Sequence, residues 1–427
     1  MRLAVDNDGL DFGGVPFAER IAREQADLAQ KAKVVPLRPM GAAPFVWRPP
    51  AEIPPRPWLV GIRALLGFAT AIVAPGGLGK TTYAMGLALS VATGRALMAE
   101  RVWQAGPVWI WNLEDGRDEL ERRVTAAILH FDLDPAAMPH PIFLNSGRDR
   151  PLCMAAAIVE RGEDGATVTH LVHPDEAPLI AEAKAHGVRL IVVDPFVSSH
   201  TLNENSNPDM AAAMAAWARV AEQAGCAVIL VHHTRKGAVG GNIEDARGGS
   251  AIANAARVGL TLSRMDDQAG ERFDVPERDR WRYVRIDDAK ANLSPRADKA
   301  TWIRLASVDL GNSTETYPNG DSVQVAEPWT PPDVFDDITK DQANAALDRI
   351  DQGPKEGHLY GLSRRGREND RWAGTVLMDE FDLNEAQAKH ILAIWQRNGV
   401  LVEVEYHDRE KGRARKGVRV EASKRPA

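Results

Sequence analysis

The sequence predicts an α/β fold built on a parallel sheet, and two observations support this prediction. Short apolar runs alternate with helix-like segments between residues 58 and 310, and a glycine-rich loop follows the first run directly. Near-continuous apolar strands separated by helices are typical of a parallel sheet covered on both faces. The runs are Phe68–Ala74, Val108–Leu113, Leu190–Val193, Val228–His232 and Val258–Leu262.

Composition excludes several classes of protein. The chain has 427 residues, with 44% apolar and 26% charged residues and a net charge of −7, which excludes a disordered chain and a histone-like polycation. Its two cysteines cannot form a disulfide framework, so a reducing compartment fits. The polar first 15 residues and the interrupted apolar run at 58–75 contain neither a secretory leader nor a membrane span. We therefore expect a soluble cytoplasmic protein without a membrane partner.

Composition also indicates the domain organisation. Residues 1–57 combine a helical stretch with a proline-dense stretch, which predicts an appendage and an extended linker. Residues 58–310 carry the α/β pattern and form the predicted catalytic domain. Residues 311–339 are rich in Asn, Pro, Asp and Thr and are predicted to be a second linker, followed by a small domain at 340–427.

The small domain is predicted to be a winged helix. Helical patterns at Lys340–Ile350, Trp372–Phe381 and Asn384–Asn398 precede two strand-like runs that flank a basic tip. In the third helix, Asn384 and Gln387 have the spacing of a capping box. Three helices followed by a basic hairpin is the order of elements in a winged helix.

The glycine-rich loop has the pattern of a Walker A phosphate loop. Ala-Pro-Gly-Gly-Leu-Gly-Lys-Thr at 74–81 lies between a strand and a helix, although Ala74 stands where the strict pattern has glycine. Backbone N–H groups of such a loop bind the β-phosphate of ATP, and the lysine bridges the β- and γ-phosphates. The candidate nucleotide-binding residues are Gly76, Gly77, Gly79, Lys80, Thr81 and Thr82.

A magnesium site is predicted beside this loop. Asp194 ends the apolar strand that begins at Leu190, as a Walker B carboxylate does, and Thr81 provides a hydroxyl ligand. The alternative is that Asp194 only caps its strand. Pro195 follows Asp194, so an acidic residue that activates water must come from another strand.

Glu114 is the candidate general base. It follows the strand Val108–Leu113, and the carboxyl ends of parallel strands line the ligand crevice of an open α/β sheet. The alternative is that Glu114 or Asp115 caps the helix that starts near Arg117. Asp115 is the second candidate for the base.

His233 is the candidate sensor of the γ-phosphate because it ends another core strand, and His232 is the weaker candidate. Metal binding is not indicated, since no cysteine or further histidine lies at ligand spacing. A histidine with a purely structural role is the alternative.

Six motifs in order make residues 58–305 resemble the RecA-like ATPases of the plasmid replicative helicase (RepA) family, which are related to DnaB-type hexameric helicases. The resemblance implies a ring, usually of six subunits, with ATP at the subunit interfaces. It implies that Arg257 is an arginine finger that reaches a neighbour's γ-phosphate and that Lys290 lies near the same interface. The alternatives are an ordinary surface arginine, or Arg247 as the finger. The motifs are APGGLGKT at 74–81, LED at 113–115, VVDPF at 193–197, HHTRKG at 232–237, DARGGSAIANAAR at 245–257 and AKAN at 289–292.

DNA is the predicted partner of two basic segments. The loop at 234–245 contains Arg235, Lys236 and three glycines, whereas the polar loop at 198–208 has no lysine or arginine. The hairpin tip at 409–419 has six basic residues and one acidic residue, which suits phosphate contact. The alternative for the loop is a disordered surface loop, and the alternative for the hairpin is a solvated charged hairpin in a protein-binding winged helix. The remaining DNA-binding candidates are Lys389 on the third helix and Arg409, Lys411, Arg413, Arg415 and Lys416 in the hairpin.

Two hypotheses of function remain open at this level. One is a hexameric ATP-driven motor that translocates on single-stranded DNA. The other is an ATP switch that binds duplex DNA through its winged helix and uses nucleotide to control assembly.

Overall fold

The computed structural model describes residues 41–161, 167–233, 252, 255–291, 293, 300–336, 338–364, 371–408, 410 and 412–426, together with Glu19 and Ala22. The chain divides into two compact units. The large unit comprises Met1–Arg264 and Val284–Trp329, and the small unit comprises Met265–Tyr283 and Thr330–Ala427. No helix in these described ranges is long and apolar enough to span a bilayer.

A nine-stranded sheet forms the centre of the large unit. Its strands are β3 (Ala69–Ala74), β4 (Val108–Asn112), β5 (Ile142–Ser146), β8 (Leu190–Asp194), β9 (Ala227–His233), β10 (Val258–Arg264), β11 (Tyr283–Ala291), β12 (Thr301–Asp309) and β13 (Ser322–Trp329). They lie in the order β13-β12-β11-β10-β3-β9-β8-β4-β5. The pairs among the central strands are parallel, as the alternating pattern predicts, whereas β10–β11 and β12–β13 are antiparallel.

Helices cover both faces of this sheet. One core cluster combines inward residues of α1 (Lys80–Thr93) and α2 (Arg117–His130) with alternate strand residues such as Ile72. The other combines α3 (Glu176–Ala185) and α4 (Asn207–Ala224) with the intervening residues, such as Val73. Successive strand side chains point to opposite faces, so these continuously apolar strands supply both cores. The fully buried patterns of β3, β4 and β8 follow from this arrangement.

Local signals explain where α4 begins and ends. The Ser206 side chain accepts a hydrogen bond from the backbone N–H of Asp209, Pro208 lies in the first turn, and Gly225 ends the helix with φ 68°. Proline suits a first turn because its missing N–H has no partner there, and glycine tolerates the left-handed end. The helix therefore begins at Asn207, directly after its N-cap Ser206.

Two further pairs of strands lie outside the main sheet in the large unit. β1 (Trp58–Val60) pairs with β2 (Ala64–Leu65), and β6 (Ala156–Arg161) pairs with β7 (Thr167–Val172), both antiparallel. Neither pair was predicted from the sequence. The strands β1 and β2 have only three and two residues, and most side chains of β6 and β7 are exposed.

The predicted linker at 311–339 differs from the structure. Residues Ser322–Trp329 form β13, which pairs along its whole length with β12. Only two of its eight side chains are buried, so the strand lacks the apolar run that identifies the central strands. An edge strand of this kind is difficult to distinguish from a polar linker by composition.

The small unit has three helices followed by a hairpin, in the predicted order. They are α6 (Lys340–Gln352), α7 (Gly374–Phe381), α8 (Glu385–Arg397), β14 (Leu401–Asp408) and β15 (Arg413–Val420). The capping box of α8 is present, with Asn384 and Gln387 bonded reciprocally. The small unit also contains α5 (Asp267–Arg272), which was not predicted. This helix lies between β10 and β11 in sequence but belongs to the small unit. The amide of Asn384 donates to the carbonyl oxygen of Glu271 in α5 at 2.7 Å.

Candidate functional site

The phosphate loop connects the end of β3 to the start of α1. Gly77 and Gly79 have φ of 72° and 70°, a left-handed conformation that side chains disfavour. Gly79 also occupies the N-cap position of α1, where an added Cβ would lie 2.6 Å from Leu305 Cδ2. Glycine is therefore required at these two positions by backbone geometry, and the N-terminus of α1 opens at the loop.

The Lys80 side chain is held inside the loop. Lys80 is 4% exposed, and its Nζ donates to the carbonyl oxygens of Ala74 at 2.9 Å and Pro75 at 2.6 Å. Burial lowers the pKa of Lys80 to about 8, although the nearby charges of Asp194 and Glu114 oppose this shift. A partly desolvated ammonium with only neutral carbonyl partners is well suited to bind phosphate.

Thr81 and Asp194 lie in direct contact. The Thr81 hydroxyl donates a hydrogen bond to Oδ2 of Asp194, which is 6% exposed at the end of β8. Burial raises the pKa of Asp194, while the hydrogen bond from Thr81 and the charges of His233 and Lys80 act in the opposite direction. A hydroxyl oxygen and a carboxylate oxygen are hard ligands of the kind that Mg²⁺ prefers. Because the two lie next to each other here, Thr81 and Asp194 are suitable ligands for Mg²⁺.

Glu114 follows β4, the neighbour of β8. The backbone N–H of Leu113 donates to the carbonyl oxygen of Asp194 at 2.7 Å, and the Glu114 charge acts on Lys80, Asp194 and His233. The structure therefore brings the four predicted side chains Lys80, Asp194, Glu114 and His233 to one end of the sheet.

The helix-capping alternative for Glu114 and Asp115 is wrong. Gly116 occupies the N-cap position of α2, and no side chain caps this helix. Instead, the Asp115 carboxylate lies 3.0 Å from Nη2 of Arg123, which leaves Glu114 as the carboxylate that faces the site.

Sequence reasoning missed Asn112, which shapes the turn that carries Glu114. Asn112 is 3% exposed, and its Oδ1 accepts the backbone N–H groups of Glu114 at 2.9 Å and Asp115 at 2.7 Å. A polar residue at the end of an otherwise apolar strand was the available signal, because asparagine side chains often bond to the backbone two residues ahead.

The two histidines of β9 lie on opposite faces. His232 is 2% exposed, and its ring centroid lies 5.8 Å from that of Phe196 in the core. His233 is half-buried, and burial together with the charge of Lys80 lowers its pKa, while Asp194 and Glu114 oppose this shift. His233 is thus the histidine that interacts with the phosphate-loop residues.

Arg257 and Lys290 lie together, away from the phosphate loop. The backbone N–H of Arg257 donates to the carbonyl oxygen of Ala69 at 3.3 Å, and Ala69 starts β3 whereas Ala74 ends it. Five residues of strand span about 16 Å. Lys290 pairs with Gly259 in the next strand, and burial followed by the charge of Arg257 lowers its pKa. The sheet therefore separates these cations from the loop of their own chain.

The predicted DNA-binding residues are only partly described. Lys389 forms an ion pair with Glu385 at 2.6 Å, and Lys416 forms one with Glu403 at 2.8 Å. Arg413 is exposed, and Arg415 donates to buried Asp408 at 3.2 Å. The following residues lie outside the described part of the chain: Arg235, Lys236, Arg247, Arg409 and Lys411.

Two comparisons show what this chain is similar to. A family described as an AAA domain matches residues 37–239, a range that includes the phosphate loop, Glu114, Asp194 and His233. The mixed α/β fold of the large unit, with its mostly parallel sheet, fits a RecA-like P-loop core. A solved structure titled "Crystal structure of the RadB recombinase" is similar at 13% identity and a TM-score of 0.36, over 56% of this chain and 88% of that chain.

Proposed function

We propose that this protein is a ring-forming, ATP-driven motor that translocates on single-stranded DNA, as replicative helicases of plasmids and phages do. The observation that supports it best is the separation of two groups of residues. Lys80, Asp194 and Glu114 lie at the carboxyl end of β3 and its neighbours, and Arg257 lies at the opposite end. Hydrolysis then needs Arg257 from a second copy of the chain, which head-to-tail assembly supplies.

Each residue at the carboxyl end has a role that follows from its chemistry. The backbone N–H groups of the loop and the Lys80 ammonium bind the phosphates of ATP. Thr81 and Asp194 hold Mg²⁺, which when bound neutralises phosphate charge. The Glu114 carboxylate orients and deprotonates the attacking water, and His233 hydrogen-bonds near the γ-phosphate.

Arg257 completes the site from the neighbouring subunit. Its guanidinium stabilises the charge that spreads over the phosphoryl oxygens during transfer, and Lys290 reinforces the positive potential there. Two neighbouring cations raise the local positive potential, which suits the binding of a phosphate anion.

The second candidate is an ATP switch that binds duplex DNA through the small unit. The helix–helix–helix–hairpin order and the absence of lysine and arginine from 198–208 favour it. The contacts of α8 weigh against major-groove recognition by this helix. Its N-cap Asn384 is bonded to Glu271, and burial and the charge of Arg272 lower the pKa of His390.

Three measurements on the full chain distinguish these candidates. Native mass spectrometry with ATP and Mg²⁺ measures the subunit number, and a ring predicts six. A motor predicts ATP hydrolysis stimulated by single-stranded DNA and strand displacement from a forked substrate. Assembly without strand displacement, together with tighter binding to duplex than to single strands, would support the switch and reject the motor.

A further inference from the structure

A buried arginine lies in the turn between β1 and β2, outside the site described above. Arg63 is 3% exposed, and its guanidinium donates to Glu100 at 2.6 Å, to Thr301 at 2.9 Å and to Asp288. Its backbone carbonyl oxygen accepts the hydroxyl hydrogen bond of Thr70 at 2.7 Å. Arg63 thus connects the turn between β1 and β2 to Glu100, to β11 and to β12, which lie between 37 and 238 positions away in the chain.

The cluster of Arg63, Glu100 and Asp288 places one cation between two carboxylates, and Arg63 forms an ion pair with each of them. Burial alone would lower the pKa of Arg63, but Tyr83, Glu100 and Asp288 raise it above its ordinary value. The Tyr83 phenol is fully buried, and burial raises its pKa. Two carboxylates in an enclosed place require a fixed cation, because an unpaired buried charge is strongly unfavourable.

The cluster holds β11 next to an irregularity in its pairing. Lys290 lies opposite Gly259, but Asp288 lies opposite Leu260, so Ala289 is an extra residue on β11. Such a bulge bends its strand and redirects the side chains beside it. The anchored Asp288 is the residue on one side of the bulge, and Lys290, which interacts with Arg257, is the residue on the other side.

We propose that Arg63 is a positioning residue: by fixing Asp288, it holds the bulge of β11 so that Lys290 and Arg257 together face the phosphates bound to a neighbouring subunit. This inference rests on the proposed action of Arg257 in trans. It predicts that replacing Arg63 impairs the ability of a subunit to supply Arg257 and Lys290 to its neighbour. The ATP site of the replaced subunit itself should stay intact.

The test mixes full-length variants that exchange subunits and measures ATP hydrolysis. Arg63→Met alone should bind ATP with wild-type affinity but lose turnover by about 10²-fold, the scale expected for a small misplacement. Mixing it with Lys80→Ala should restore part of the activity, because Lys80→Ala subunits still supply cations to intact phosphate loops. Mixing it with Arg257→Ala should restore nothing, because neither variant supplies a competent cation pair.

Two controls make every outcome decisive. Arg257→Ala mixed with Lys80→Ala tests the action in trans itself, and failure to recover there rejects both proposals. If that mixture recovers activity but the mixture of Arg63→Met with Lys80→Ala does not, only the positioning role is rejected. Recovery of activity in the mixture of Arg63→Met with Arg257→Ala also rejects only the positioning role. If Arg63→Met does not fold, Asp288→Asn takes its place under the same criteria. Glu100→Gln, which removes a partner of Arg63 that is not part of β11, should lose less turnover than Asp288→Asn.

Discussion

The two ends of the central sheet have different electrostatics. At the carboxyl end, buried Lys80 interacts with the carboxylates of Asp194 and Glu114, and most of the groups that we propose to bind and cleave a triphosphate lie there. At the amino end, Arg257 and Lys290 lie side by side as two cations. The first end is close to complete within one chain, whereas the second is suited to receive an anion from another molecule. This difference favours one active site shared between two subunits.

The largest expected effect comes from the carboxyl end. Lys80→Ala should abolish ATP hydrolysis, because no other side chain in the loop neutralises the transferred phosphate. A steady-state phosphate-release assay measures this, with Lys184→Ala on the surface of α3 as the matched control. Turnover above a tenth of the wild-type rate in Lys80→Ala would contradict the Walker A assignment.

Arg257→Ala tests the amino end. We expect ATP binding and folding to persist while turnover falls by roughly 10³-fold, the scale of an arginine finger. Nucleotide affinity and hydrolysis are measured in parallel. Arg285→Ala, on neighbouring β11 and paired with Asp287 at 2.7 Å, is the matched control. Equal reductions in both variants would show that Arg257 has no special role.

Glu114→Gln distinguishes the base from the groups that bind phosphate. ATP should still bind, and turnover should fall by about 10²-fold, because only the proton acceptor is removed. Asp115→Asn is the matched control, since its carboxylate pairs with Arg123 at 3.0 Å and does not face the site. A larger reduction in Asp115→Asn than in Glu114→Gln would transfer the role to Asp115.

The pKa of Lys80 makes ATP affinity depend on pH. The free protein binds phosphate with the protonated amine, and that amine has a pKa of about 8. Affinity should therefore be constant below pH 7 and fall by up to about tenfold for each pH unit above 8. Competition binding between pH 6 and 9.5 measures this, with circular dichroism as the check on folding. An affinity that stays constant up to pH 9.5 contradicts the prediction.

The smallest expected effect concerns the basic residues of the hairpin formed by β14 and β15. The double variant Arg413→Ala/Lys416→Ala should weaken DNA binding and reduce the slope of log affinity against log salt by about one for each phosphate that the hairpin no longer neutralises. ATP hydrolysis without DNA should not change. Arg415 is kept, because it donates to buried Asp408. Arg349→Ala on α6 is the control, and an equal decrease in DNA affinity there would exclude the hairpin as the DNA-binding element.

Local sequence signals predicted the elements whose causes are local. The glycines of the phosphate loop, the capping box at Asn384 and the five apolar strands each depend on a few adjacent residues, and the structure contains all of them. The strand β13 was missed because its alternation is weak. The residues of the small helix α5 lie within the predicted range 58–310 but belong to the small unit, and no local pattern shows that Glu271 contacts Asn384, 113 positions later in the chain.

The sequence by itself determined the chemistry of the carboxyl end, because strand, loop and helix follow one another there and a glycine-rich turn must open onto a helix N-terminus. Only the tertiary structure decided the position of the other groups. Arg257 precedes a strand parallel to β3, so strand direction carries it to the end of the sheet opposite its own loop. Arg63 meets Asp288 across 225 positions, a pairing that depends on the order of strands. Residue type defines what a side chain can do, and sheet topology decides which groups it can reach.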